Sequence, residues 1–295
     1  MKYRIIVIAL FIIATIQIRA QNNEKIYSMK LGSSRVHLLS EGQFSGNTGI
    51  LIGANPEIIK KYAPDNSFPM ATNVFLWQTN GKNLLFDTGN GGNLFNDLQF
   101  FQLKPENIDA VFITHMHGDH IGGLLSDDKA TFPNATLYIA KPEYEYWTDD
   151  ESINQMPENR RGGFLHAKKV VEAYKDRLRL FEPISDPYDD RSLYPGIKAF
   201  ATYGHTPGHT VYLLESDNEM LLIWGDLTHA MAVQMPHPEL AMTYDTNPEK
   251  AVQSRLLVLQ LVSRYKIPVA GIHITYPGIG TIEKSEPGYL FTPMK

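Results

Sequence analysis

Residues 112–125 read FITHMHGDHIGGLL, and six consecutive positions within them hold His115, His117, Asp119 and His120. Imidazole and carboxylate suit zinc and its first-row neighbours, and a catalytic site of this kind leaves a position open for water. The apolar run 108–114 reads as a buried strand, so the ligand types come at a strand's carboxyl end, on the way into a helix. From extended backbone His115 and His117 point the same way. Asp119 and His120 then turn away and can face a second metal. Gly118, Gly122 and Gly123 permit the tight path. The alternative is a polar loop without metal, but four such residues seldom converge without a ligand.

Further segments carry the same residue types. YGHTPGHTVY spans 203–212, LLIWGDLTH spans 221–229 and ends a strand at Asp226, and VAGIHITYPGIG (269–280) supplies His273 after a last strand. Upstream, LLFDTG (84–89) places Asp87 at another strand end. Together these motifs resemble the metallo-β-lactamase superfamily, whose signature is His-x-His-x-Asp-His after a buried strand. The resemblance runs across residues 115–273 with every ligand position filled in order. It implies a fold of the α+β class, a four-layer αββα sandwich with the site at the edge between the sheets. It also implies that His115, His117 and His209 bind one divalent metal ion and Asp119, His120 and His273 a second. Zinc is the expected metal. Asp226 would bridge the two ions together with a hydroxide, and Asp119 would double as proton shuttle to the leaving group. Two neighbouring cations acidify a bridging water and can hold both attacking and leaving oxygens.

Other residues carry weaker signals. Asp87 either orients a ligand by hydrogen bonding or caps a turn. His205, four residues before His209, is read as structural. His229 either borders the pocket or is a satisfied surface histidine, and His37, His166 and His237 carry no spacing signal. For Phe44, Phe68, Met70 and Trp147 core packing is the expectation, with a pocket wall as the alternative.

The fold hosts many reactions, so the branch must come from the site and its surroundings. An aspartate at 226 sets the chain apart from true metallo-β-lactamases and groups it with lactonases, glyoxalase II and related esterases. The 22 residues after His273 leave no room for a glutathione-binding helical domain. The segment 225–259, with Tyr244, Asp245, Asn247, Pro248 and Arg255, resembles the branch containing methyl parathion hydrolase and lactonase-like enzymes. The resulting expectation is a dinuclear metal hydrolase of ester-like bonds: lactone, carboxylic ester or phosphotriester. β-Lactam hydrolysis on the same site is the rival activity, and a non-enzymatic metal-binding protein is the rival class.

The positioning elements are partly legible. Strand-like runs occur at 25–31, 35–40, 73–79, 83–89, 108–115, 135–140, 177–181, 197–202, 210–216, 219–226 and 267–273. Asn80-Gly81 signals a two-residue hairpin. Residues 164–177 and 247–266 read as helices, the latter with Asn247 as N-cap and Pro248 at the first helical position. Residues 40–72 and 148–163 read as long loops.

Composition narrows the partners. Residues 1–20 (MKYRIIVIALFIIATIQIRA) place Lys2 and Arg4 before an apolar run, the pattern of a signal peptide, with a membrane anchor as the alternative. The run is short for a span, which needs roughly 20 residues. Export to the periplasm or medium is therefore expected, with 21–295 as one hydrolase domain and no stable membrane anchor. The chain has no cysteine, so an exported domain must rest on core burial. Loss of residues 1–20 removes Lys2, Arg4 and Arg19 and no acid. The basic residues fall from 27 to 24 against 32 acids, and the formal charge moves from −5 to −8. Such a chain suits neither nucleic acid nor anionic membrane. A small-molecule ester-like substrate is the expected partner, and a homodimer is left open.

Overall fold

The computed structural model describes residues 26–156, 158–186 and 189–295, and the signal peptide expected at 1–20 lies outside them. Two mixed sheets pack face to face. The first, seven-stranded, runs in the order Ile26–Leu31, Ser34–Asn47, Ser67–Thr79, Lys82–Phe86, Ala110–Phe112, Thr136–Ala140, Leu178–Phe181. The second, six-stranded, runs Ile197–Ala201, Thr210–Ser216, Glu219–Ile223, Val269–Ala270, Ile279–Lys284, Tyr289–Pro293.

Side-chain alternation along the strands creates the layers. Phe75, Trp77, Leu84, Phe86 and Phe112 point inward and meet Ile197, Tyr212, Leu214, Leu221 and Ile223 of the other sheet. Their neighbours Val74, Leu76, Leu85 and Val111 point outward onto the helices that carry Leu98, Ile121, Phe164 and Val170. The outer face of the second sheet, through Val211, Leu222 and Val269, packs on Val258, Leu259 and Val262 of the long helix Pro248–Tyr265. The result is helix, sheet, sheet, helix, the expected αββα sandwich. Full burial of one such Leu or Phe side chain contributes about 1.5–3 kcal/mol, so the inter-sheet layer holds the two halves together without disulfides.

The hairpin at Asn80-Gly81 forms as its residues dictate, with φ of 47° and 72° at the two positions, the pair of positive values a type I′ turn requires. The long-loop readings are corrected. Residues 40–72 hold the paired ends of two long strands, 40–47 and 67–72, joined through the short strand Leu51–Ile52 and the short helix Pro56–Tyr62. Residues 148–163 hold the helix Asp150–Gln155 and the start of Glu158–Tyr174.

Parallel pairing matters for the site. Lys82–Phe86 runs parallel to Ala110–Phe112, and Glu219–Ile223 runs parallel to Val269–Ala270. The carboxyl ends of these four strands therefore open toward Asp87, His115, Asp226 and His273, two from each sheet.

Candidate metal centre

The first histidine loop leaves the strand Ala110–Phe112 and enters the short helix Gly118–Ile121, with His117 extended at its N-cap. Its backbone is tied across the sandwich, because Thr210 N donates to Thr114 O at 3.0 Å. The last loop is tied too: Asn73 donates from its side chain to Gly271 O and Ile274 O, and Ala71 N donates to His273 O.

Asp226 lies at the centre. Its Oδ1 is 3.1 Å from His120 Nε2, and its Oδ2 is 3.1 Å from His273 Nε2 and 3.5 Å from His115 Nε2. His115, His117, His205 and Asp226 bring ligand atoms together in one group. Asp119, His120 and His273 form a second, and Asp226, His229 and His273 a third. His209 stands at the edge of the first group, its Nε2 accepting from Asp226 N at 3.0 Å.

The rear nitrogens of these rings are engaged, which fixes the front ones. His120 Nδ1 lies 2.8 Å from Asp87 Oδ2, His273 Nδ1 2.8 Å from Ala71 O, and His209 Nδ1 2.8 Å from Thr202 Oγ1. Such outer partners set ring orientation in metal sites. Asp87 thus backs His120, and it also accepts from Thr114 N and Thr114 Oγ1.

The electrostatics are those of a cation site. Burial, reinforced by neighbouring imidazoles, lowers His115 well below its ordinary range, and brings His117 and His209 to about 3. Three neutral imidazoles therefore offer lone pairs at neutral pH, the state that metal ligation requires. Burial opposes charge on Asp226 as well, yet His120 and His273 hold its carboxyl well below the usual range. His120 Nε2 and Asp226 Oδ1 are buried 3.1 Å apart without a hydrogen-bond partner, two ligand-type atoms whose polar valences a bound cation would satisfy. Donor set, burial and these two atoms fit divalent metal ions.

A cavity of about 500 Å³ opens onto the cluster. His117, Asp119, His205, Asp226, His229 and His273 form its floor, and Phe44, Met70, Tyr146, Trp147, Met156 and Phe164 its apolar wall. Met70 and Trp147 are core residues that also face the cavity, Phe68 is core alone, and the exposed Phe44 belongs to the wall. His229 is buried and borders the cavity, 3.0 Å from Asp226 Oδ2. Burial outweighs that carboxylate and lowers it to about 4.

His205 departs from its reading as structural. Its Nδ1 pairs with Asp245 Oδ1 at 2.8 Å, which turns Nε2 to 3.0 Å from His117 Nδ1 and 3.2 Å from Asp226 Oδ2. Burial disfavours its charged form, but hydrogen bonds to Asp226 and Asp245 carry it up to about 9. The sequence reading also missed Glu143. Its one signal is an acid one helical turn before Trp147, in a strand-following segment otherwise rich in aromatics.

Comparison with known proteins agrees with this geometry. The sequence profile of the metallo-beta-lactamase superfamily matches residues 68–265. A probable metallo-hydrolase of Mycobacterium tuberculosis is 26% identical over 167 residues, covering 53% of this chain and 51% of that protein. The N-acyl homoserine lactonase AttM of Agrobacterium fabrum is 29% identical over 150 residues, covering 48% of this chain and 51% of AttM. The matches thus span about half the length of these curated relatives. Among solved structures, the dizinc quorum-quenching lactonase AidC, seen with a product bound, superposes with a TM-score of 0.82 at 27% identity. That match covers 92% of this chain and 97% of AidC. The hydrolase AbOPH gives 0.81 at 27% identity, over 93% and 99% of the two chains. With its profile matched across both sheets and its histidine motifs gathered at their shared edge, the chain belongs to the metallo-β-lactamase superfamily.

Proposed function

We propose that the protein is an exported metal-dependent hydrolase that holds two divalent ions, zinc first among them. Its substrates are lactones and related carboxylic esters, with phosphotriesters tolerated. The observation that carries this reading is the Asp226 carboxylate, one oxygen against His120 and the other against His273 and His115. A carboxylate so placed belongs to both halves of a dinuclear site. His115, His117 and His209 would hold one ion, and Asp119, His120 and His273 the other. Bound there, the ions would supply Lewis acidity toward a carbonyl or phosphoryl oxygen and would acidify water.

The chain's own residues supply the rest. Asp119 is a third exposed and faces the cavity; against burial, His120 and His273 keep its carboxyl below the usual range. It can therefore accept a proton and pass it to the departing oxygen. The aromatic wall takes up the acyl or aryl part of the substrate and excludes water from it. Such a wall separates homologues weakly, by about 1–3 kcal/mol per methylene, so breadth within the class is expected. Among the described residues that line the cavity none is Lys or Arg, which favours neutral electrophiles over the carboxylate-bearing penicillins. Likeness to AidC and AttM supports the lactone as first choice. Export rests on Lys2, Arg4 and the apolar run that follows.

The test is one metal-replete preparation, its metal content measured and its kcat/KM compared for an aliphatic lactone, an aryl phosphotriester and a penicillin. About two equivalents of metal and a ranking with the lactone first are expected. A content that stays at or below one equivalent sinks the dinuclear reading. A penicillin ahead by about tenfold or more replaces the substrate class.

A further inference from the structure

We propose that Glu143 is a positioning residue that fixes the two histidine loops of the metal centre against each other and ties their spacing to the cavity wall. The inference rests on the metal-hydrolase reading above. Glu143 lies in the first turn of the helix Lys141–Thr148, directly after the strand Thr136–Ala140 of the first sheet, and its side chain is fully buried. Its Oε1 accepts from Met116 N at 2.9 Å and from Trp147 Nε1 at 2.5 Å. Its Oε2 accepts from Thr206 Oγ1 at 2.7 Å and from Gly208 N at 2.8 Å.

Each partner has a place in the site. Met116 lies between His115 and His117, its amide being the peptide link that follows His115, and Gly208 immediately precedes His209. One carboxylate thus grips a loop from each sheet. The fit at the second loop is close: a Cβ on Gly208 would sit 2.2 Å from Glu143 N and 2.5 Å from Glu143 Cβ. The third partner, Trp147, stands edge-on to His117 at 5.5 Å between ring centroids and packs on Phe164 in the cavity wall.

A buried carboxylate without a charged partner is an unfavourable choice for stability alone. All four donors named here are neutral, and an apolar side chain would fill the same volume at lower desolvation. What an apolar side chain lacks is a pair of acceptors at fixed separation. Two oxygens on one rigid plane hold two peptide amides at a set distance, and that distance sets where His115, His117 and His209 stand. Glutamine cannot substitute, because its amide end would face two donors instead of accepting from them.

The test uses Co²⁺ as probe on the full mature chain, in wild type, Glu143→Gln and Thr206→Val. Chelator competition reads affinity, the visible cobalt bands read ligand geometry, and far-UV circular dichroism reads folding. A positioning role predicts folded Glu143→Gln protein with roughly 10–100-fold weaker cobalt binding and shifted visible bands. Thr206→Val, which removes one of the four donors, is expected to move both readouts the same way by less. Folded Glu143→Gln with wild-type affinity and wild-type bands overturns the proposal. Should Glu143→Gln fail to fold, Thr206→Val decides alone: weaker binding with shifted bands supports the role, and unchanged values overturn it. Wild-type protein that takes up no cobalt would overturn the metal reading itself and this inference with it. That result is distinguishable because the first comparison requires a wild type that binds.

Discussion

His120 shows how much a single side chain depends on what stands behind it. Its Nδ1 pairs with Asp87, so its Nε2 has no choice but to face Asp226. Asp87 can serve because it also accepts both the amide and the hydroxyl of Thr114, which locks its own plane. Asp87→Asn keeps the shape but replaces one acceptor by a donor. Metal affinity in the half holding Asp119, His120 and His273 is then expected to fall by roughly 10–100-fold, with the His115 half retained. Calorimetric titration of the variant should show one tight and one weakened site. Two unchanged sites would place Asp87 among mere turn-capping residues. At this scale the sequence is most informative where ligands are neighbours. Spacing alone exposes His115, His117, Asp119 and His120, because metal ligation constrains local backbone. It does not expose His205, whose direction is set by Asp245 forty residues on, nor Glu143, whose partners lie on two distant loops.

The long helix Pro248–Tyr265 shows what elements add. Its start is legible: Asn247 accepts from Lys250 N, and Pro248 stands at the first position, where no amide is needed. Its purpose is less so. Arg255 is 1% exposed, and from the middle of the helix it donates to Leu227 O, Pro238 O and Leu240 O. It thereby pins the loop that leaves Asp226 and carries His229, and burial draws its guanidinium down to about 10. Arg255→Met would leave Leu227 O and Pro238 O without a partner, while Leu240 O keeps Gln234 Nε2. The expected loss is about 2 kcal/mol or more in urea unfolding, with weaker metal binding. Asn247→Ala removes only a cap, so about 1 kcal/mol and unchanged metal binding are expected. Equal effects of the two on metal affinity would show that Arg255 acts through helix stability alone. The misread segments have physical causes of the same order. Gly42, Gly46 and Pro69 look like loop residues, yet the long hairpin's ladder continues through a register shift between Ser40 and Gly42, where its outer side chains are exposed. Residues 150–155 are polar because their helix lies at the surface, with only Ile153 buried.

For the molecule as a whole, the cluster draws ligands from both sheets, and this gives it a mechanical role. His115, His117, Asp119 and His120 leave the first sheet, while His209, Asp226 and His273 flank strands of the second. The sandwich order itself could be reached from the sequence only through family resemblance. Strand-like runs do not say which pair, and the crossover from Glu219–Ile223 to Val269–Ala270 passes through the entire long helix. Ions bound between the sheets would then act as cross-sheet staples, stabilising the folded chain over an unfolded one in which the ligands are scattered. Raising free metal to about 100 times the dissociation constant of one site adds about 2.7 kcal/mol by mass action. For a domain of this size that corresponds to roughly 5–10 °C in Tm per site. Wild-type protein is therefore expected to melt lower after chelation and to recover on return of zinc. Asp226→Ala, which removes the carboxylate common to both halves, should respond far less to either treatment. The measurement is thermal unfolding by circular dichroism at several fixed free-metal concentrations. A wild-type Tm that ignores metal across that range would mean that the ions, if held at all, do not staple the sheets. Their ligands would then have to be prepositioned entirely by the hydrogen bonds of Asp87, Glu143 and Arg255.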